Sequence, residues 1–248
     1  MKVLLVTGAS KGIGQATAIL GARSGYRVCV NYNSSPEAAQ NTIDQISSEG
    51  GTAISIKADV STEDGVKFLF QKIDEKYGRL DGLFNNAGII LPSARVETIT
   101  ADQLERLWRI NVTSQFLCAR EAIKRMSTKH GGQGGSIVNM SSVHSRIGAP
   151  GEFVSYAASK GAIDAFTHGL SLELVKEGIR VNAVRPGLID TDIHALGGNR
   201  NRPKEVSDKI PIGRAGTPMD IAQAVIWLMS DEASYCVNTL LDVSGGRS

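Results

Sequence analysis

The sequence predicts an α/β fold, a doubly wound, mostly parallel sheet with helices on both faces. Three observations predict it. Short apolar runs of strand type alternate with longer segments of helical period along the chain, the pattern of repeated βαβ units. Most of these runs are nearly continuous in apolar residues, as strands covered on both faces should be. A glycine-rich turn directly follows the first run and opens into a helical segment, an arrangement that α/β folds use to hold phosphate.

The strand candidates, in order, are Lys2 to Val6, Arg27 to Tyr32, Thr52 to Lys57, Gly82 to Asn85, Ser136 to Met140, Arg180 to Val184 and Leu240 to Val243. Between them Gly25, Gly50, Gly78 and Gly178 stand where left-handed caps would stop each helix. The stretch His130 to Gly135 reads as one loop, and Gly187 to Pro203 as a longer irregular segment, a lid or binding loop. No linker or composition shift divides the 248 residues, so one domain, 1–248, is expected.

Composition excludes several function classes. With 42% hydrophobic and 21% charged residues, neither disorder nor a disulfide scaffold fits. Twenty-seven Lys and Arg against 25 Asp and Glu, without a basic run, give no electrostatic argument for nucleic acid. Cys29, Cys118 and Cys236 lie far apart and show no metal-ligand spacing, which points to no metal and to a reduced, cytoplasmic-type compartment. The apolar start, Met1 to Val6, is too short for a signal peptide, and no run of 18 apolar residues suggests a membrane span.

The turn after the first strand reads Thr7-Gly8-Ala9-Ser10-Lys11-Gly12-Ile13-Gly14. Glycines allow a tight turn and close backbone approach, and a helix N-terminus offers unpaired N–H groups and a positive dipole end to a pyrophosphate. Three residues separate Gly8 from Gly12, so the spacing is not GxGxxG. It is not a Walker loop either, because Lys11 precedes its glycine and no Lys-Ser/Thr pair follows.

With further motifs in order, the sequence resembles the short-chain dehydrogenase/reductase family, in its short form, over essentially the whole chain. Thr7 to Gly14 matches TGxxxGxG, Asp59-Val60 an adenine-contacting pair, and Asn85-Asn86-Ala87-Gly88 the NNAG motif. Asn111, Ser142 and Tyr156-Ala157-Ala158-Ser159-Lys160 match the catalytic Asn, Ser and YxxxK, and Arg185-Pro186-Gly187 with Thr191 the nicotinamide-side loop. The resemblance implies a Rossmann-type sheet of seven strands, a homotetramer, and NAD(P)-dependent carbonyl reduction or alcohol oxidation on a small-molecule substrate. It implies a catalytic set of Asn111, Ser142, Tyr156 and Lys160. Cofactor contacts are implied for Gly8, Ser10, Lys11, Gly12, Ile13 and Gly14, for Asn33 and Ser34, and for Asp59 and Val60. They are implied also for Asn86, Ala87 and Gly88, for Tyr156 and Lys160, and for Pro186, Gly187, Ile189 and Thr191. By the same resemblance, Lys160 binds the nicotinamide ribose and Asn111 holds a helix carbonyl and the water of a proton relay. Fourteen residues separate Ser142 from Tyr156 where many members have thirteen, which leaves the loop register open and Ser141 as an alternative for the hydroxyl.

The residues themselves suggest the chemistry. Tyr156 and Lys160, four apart in a helical segment, share one face. A phenol titrates near ~10, and moving it to about 7 requires roughly 4 kcal/mol of differential stabilisation, for which a neighbouring ammonium and an oxidised nicotinamide are the expected sources. Tyr156 would then give a proton to a carbonyl oxygen or take it from an alcohol, with Ser142 holding that oxygen. The end of the second strand, Asn31-Tyr32-Asn33-Ser34-Ser35, has no acid before Glu37 to receive a ribose 2′-OH, and Lys11 adds a cation. NADP(H) is therefore expected over NAD(H), although no arginine follows the strand to clamp the 2′-phosphate. Asp59 could also cap the next helix, and Asn85 and Asn86 could simply make a turn.

Two readings from other classes stand beside this one. A cofactor-binding sensor or scaffold without catalysis would bind nucleotide without turnover. A hydrolase using Ser142 and His144 lacks GxSxG. The substrate pocket is expected from Ala94 to Glu97, Val143 to Ser155 and Ile189 to Pro203. Trp108, Leu117, Phe166 and Leu170 are the residues expected to furnish helix faces for assembly.

Overall fold

The computed structural model describes residues 1–247. Seven strands run β1 (Val3–Val6), β2 (Arg27–Tyr32), β3 (Thr52–Lys57), β4 (Gly82–Asn85), β5 (Gly135–Met140), β6 (Ile179–Pro186) and β7 (Leu240–Val243). Their order across the sheet is β3-β2-β1-β4-β5-β6-β7, and all six neighbouring pairs are parallel, so the sheet is wholly rather than mostly parallel. The order reverses direction at β1 and β4, and the carboxyl ends of these two strands open a crevice there.

Among the described residues ten α-helices connect the strands: α1 (Gly12–Arg23), α2 (Pro36–Ser48), α3 (Glu63–Tyr77), α4 (Ala101–Trp108), α5 (Ser114–Met126), α6 (His144–Ile147), α7 (Val154–Leu174), α8 (Ile193–Leu196), α9 (Arg202–Glu205) and α10 (Pro218–Met229). Successive strand side chains point to opposite faces. Leu5, Leu83 and Ile137 meet α3, α5 and α7 through Phe70, Ala122 and Leu174. Leu4, Phe84 and Val138 meet α1, α2 and α10 through Ile19, Ile46 and Val225. The inner strands β1, β4 and β5 are thus dry on both sides, the cause of their continuous apolar runs, while the edge strands β3 and β7 are partly exposed.

Several helix ends follow local chemistry. Thr62 caps α3 by accepting from Gly65 N–H at 3.1 Å, and Gly78 ends it at φ +64°. Asp59 is therefore not the cap; its Oδ1 accepts from Ser61 N–H at 2.9 Å and shapes the turn before the helix. The segment Gly187 to Pro203 is more ordered than expected: it contains α8, starts α9, and is tied by a bridge from Ile189 to Gly216. Among the described residues no helix is long and apolar enough to cross a membrane, and no cluster of His, Cys, Asp and Glu could hold a metal.

Candidate active site

The Gly-rich turn is built by neighbours from three strands. Asn31, buried at the end of β2, accepts from Gly8 N–H at 3.2 Å and donates to the carbonyls of Ile56 and Ala58 at 3.3 and 3.0 Å. Asn86, after β4, donates to Thr7 O at 2.8 Å and Gly8 O at 3.1 Å, while its N–H donates to Thr7 Oγ1 at 2.9 Å. Asn86 is thus a brace for the turn. Asn85 belongs to the strand: its amide donates to Asn139 Oδ1 at 3.0 Å and Gln115 O at 3.2 Å, tying β4 to β5 and α5.

A nucleotide pyrophosphate fits this turn on observations within the chain. The α1 N-terminus has no side-chain cap and no acidic residue in its first turn, so its N–H groups and positive dipole end are available to an anion. Gly8 adopts φ +61°, and a Cβ there would lie 3.1 Å from Ala87 Cα. These residues line a cleft of about 1320 Å³ that continues to Tyr156 and Lys160.

The expected catalytic side chains lie where β5 leaves the sheet. Ser142 lines the cleft beside Tyr156, and its Oγ accepts from His144 N–H at 3.2 Å. Ser141 Oγ is committed elsewhere, donating to Asp164 Oδ1 at 2.6 Å and Lys160 O at 3.2 Å. The arrangement therefore favours Ser142 over its neighbour. The loop between Ser142 and Tyr156 holds α6 and a left-handed turn at Gly148, Ala149 and Gly151. Lys160 is buried, donates to Met140 O at 2.8 Å, and carries its Nζ 5.5 Å from the Tyr156 ring centroid.

Electrostatics at this pair differ from the expectation. Burial pushes the Tyr156 phenol up to about 12, opposed by the Ser142 hydrogen bond. Burial also brings the Lys160 ammonium down to about 7, opposed by the Asp164 carboxylate. Desolvation disfavours both charged forms and is the largest influence on each.

Two expected site residues stand behind the cleft wall. Asn111, in a π-helical turn at Arg109–Thr113 between α4 and α5, is fully buried. Its amide accepts from Ile89 N–H at 2.8 Å and donates to Ile89 O at 2.9 Å and Ser159 Oγ at 3.2 Å. Its own carbonyl accepts from Gln115 Nε2 at 3.2 Å. Asn111 thus positions the Gly88-Ile89 loop rather than lining the cleft. Gly14 packs inside the turn, where a Cβ would lie 2.6 Å from Gly8 O. The remaining predicted cofactor residues, from Gly8, Ser10, Lys11, Gly12 and Ile13 to Asn33, Ser34, Asp59, Val60, Ala87, Gly88, Pro186, Gly187, Ile189 and Thr191, all line the cleft.

The enoyl-(acyl carrier protein) reductase profile matches residues 8–248. The chain belongs to the short-chain dehydrogenase/reductase family. This short-chain dehydrogenase/reductase is 51% identical over 247 residues to the uncharacterised oxidoreductase YgfF of Escherichia coli K12, covering 100% of both chains. It is 38% identical to glucose 1-dehydrogenase 2 of Bacillus subtilis 168, covering 100% of this chain and 95% of that one. The crystal structure of acetoin dehydrogenase from Enterobacter cloacae superposes with a TM-score of 0.88 at 33% identity, covering 99% of this chain and 94% of the other.

The substrate end of this family member departs from the sequence expectation in one loop. Ala94 to Glu97 does not line the cleft; Ile89, Ile90, Pro92 and Ser93 do. Ala94 N–H is held by Glu152 O at 2.9 Å, and Arg95 pairs with Glu97 in solvent at 2.5 Å. Phe153, Arg202 and Arg247 complete the wall. Arg247 had no sequence signal, because it reaches the site only through the return of the chain along β7. His144 was visible only as a hydrolase partner. Its ring meets the Tyr156 ring edge-on at 5.8 Å, and burial lowers its pKa to about 4, so it is a neutral wall of the cleft.

Proposed function

We propose that this oxidoreductase, a single domain over 1–248, reduces a carbonyl or oxidises an alcohol on a small molecule with NADP(H) preferred over NAD(H). The observation that carries the reading is the meeting of Ser142, Tyr156 and Lys160 on one cleft with an uncapped α1 N-terminus. When bound, the nicotinamide supplies or accepts the hydride, and in its oxidised form it adds a positive charge near the phenol. Tyr156 donates its proton to the carbonyl oxygen in reduction and takes it from the hydroxyl in oxidation. Ser142 holds that oxygen by a hydrogen bond. Lys160, anchored at Met140 O, would bind the ribose, and Asn111 keeps the Gly88-Ile89 loop in place. Cofactor-consumption assays over sugars, hydroxyketones, steroids, 3-oxoacyl thioesters and quinones test the reading. Tight cofactor binding without turnover on any of them would support a sensor instead.

The NADP(H) preference rests on Tyr32, Asn33, Ser34 and Ser35 lining the cleft without a carboxylate, with Lys11 beside them. One charge-assisted bond to a 2′-phosphate, ~1.5 to 3 kcal/mol, corresponds to a preference of roughly tenfold to a hundredfold. Fluorescence titration with both reduced cofactors should show it in the wild type and weaken it in Lys11→Ala. Tighter NADH binding by the wild type would refute the preference.

Assembly as a homotetramer in the cytoplasm is part of the same proposal. Trp108 is 39% exposed on α4, and Phe116, 48% exposed on α5, stacks on Phe166 of α7 at 3.8 Å. Leu170 and much of Leu117 are instead spent on the core, so Phe116 replaces them as an interface candidate. Paired α4/α5 and α7 faces would bury these side chains in isologous contacts. Light scattering at micromolar concentration should give the mass of four chains, and the mass of one chain would reject the assembly.

A further inference from the structure

We propose that the substrate carries an oxyanion, a carboxylate or a phosphate ester, and that Arg247 with Arg202 receives it at the end of the cleft beyond Tyr156. The proposal rests on the oxidoreductase reading above and names its substrate class.

The wall beyond the reacting hydroxyl is continuous. The His144 ring contacts Tyr156 edge-on at 5.8 Å and stacks with Phe153 at 6.2 Å, and the Arg202 guanidinium lies 5.2 Å over the Phe153 ring. Arg202 is already paired: Glu152 receives it through two bonds, at 2.5 and 3.3 Å. Arg247 comes from the other end of the chain and is held at its backbone, its N–H donating to Ser244 O at 3.2 Å. The preceding Gly245-Gly246 turn packs on Pro211 and Ile212. Arg247 is half-buried, lines the cleft, and makes no ion pair with a carboxylate among the described residues.

Among the described residues Glu152 is thus committed to Arg202, and Arg247 beside them has no carboxylate of its own. Burial and the Arg202 charge both pull the Arg247 pKa below the usual arginine value, while Glu152 acts the other way. His144, neutral near pH 7, adds no positive charge. Its Nδ1 is buried without a hydrogen-bond partner among the described residues. A planar guanidinium brought out of water is stabilised most by a bidentate oxyanion, which also fixes orientation. An anion on Arg247 would hold a substrate with its carbonyl toward Tyr156 and Ser142. A neutral substrate would leave the guanidinium half-desolvated and without that partner.

The test uses a homologous series of oxo acids of increasing length, each paired with its methyl ester, and matched hydroxyketone phosphates against the free hydroxyketones. For the wild type, kcat/KM should favour the anion over its neutral partner by roughly tenfold to a hundredfold. The carboxylate and phosphate series are compared to name the source of the oxyanion. Arg247→Gln should remove the preference chiefly through KM, Arg247→Lys should restore part of it, and NADPH affinity should stay unchanged in both. Calorimetric titration of the same acids and phosphates into the protein with NADPH gives a readout independent of turnover. Equal use of anion and neutral partner by the wild type, or an intact preference in Arg247→Gln, would overturn the proposal while leaving the oxidoreductase reading in place. Cofactor binding with no binding of any anion would overturn it as well. Failure to bind either reduced cofactor would instead strike at the oxidoreductase reading.

Discussion

Tyr156→Phe is expected to lower turnover by ~10²-fold or more while leaving cofactor affinity nearly unchanged. The phenyl ring keeps the contacts with His144 and with the Lys160 ammonium, so packing around the cleft is retained. Only the proton is lost. Activity is measured on whichever carbonyl proves active, and cofactor affinity by fluorescence; near wild-type turnover would remove Tyr156 from the mechanism. The pH dependence has a definite sign. The folded phenol, at about 12, lies above its unfolded value of about 10, so its contribution to stability is complete below pH 10 and is lost as pH rises through 12. On the proposed mechanism, reduction needs the protonated phenol and should be sustained at neutral pH. On the same mechanism oxidation should climb with pH, since burial in this chain holds the phenol protonated.

Gly14→Ala should abolish measurable cofactor binding and lower the melting temperature. A Cβ at this position would lie 2.6 Å from Gly8 O, 2.6 Å from Asn86 Nδ2 and 2.9 Å from Ala9 Cα. Two of these neighbours are backbone atoms of the turn itself, so a side-chain rotation cannot relieve the overlap. Relief requires α1 to move away from the turn, which breaks the Asn86 bonds to Thr7 and Gly8 and displaces the N–H groups that would hold an anion. Titration with NADPH, with circular dichroism to establish that the variant is folded, decides the matter. A folded variant with wild-type affinity would show that the close packing at Gly14 is dispensable.

The sequence alone determined the sheet, its seven strands and the position of the phosphate turn, because these depend on short-range pattern. A strand covered on both faces must be apolar throughout, and a helix that ends at Gly78 needs a residue that tolerates a left-handed backbone. The spacing of Tyr156 and Lys160 was legible for the same reason: four residues along a helix bring two side chains to one face. Only the tertiary structure decided how those side chains are charged, since desolvation comes from everything packed around them. It also decided that Asn111 is held behind the cleft by a π-helical turn, and that Leu170 belongs to the core while Phe116 faces outward. Arg247 is the clearest case. It lies more than ninety residues beyond Tyr156 and enters the site because β7 pairs parallel to β6 and returns the chain to the carboxyl edge of the sheet. No local pattern of residues encodes that meeting; it follows from strand order, which packing selects over the whole molecule.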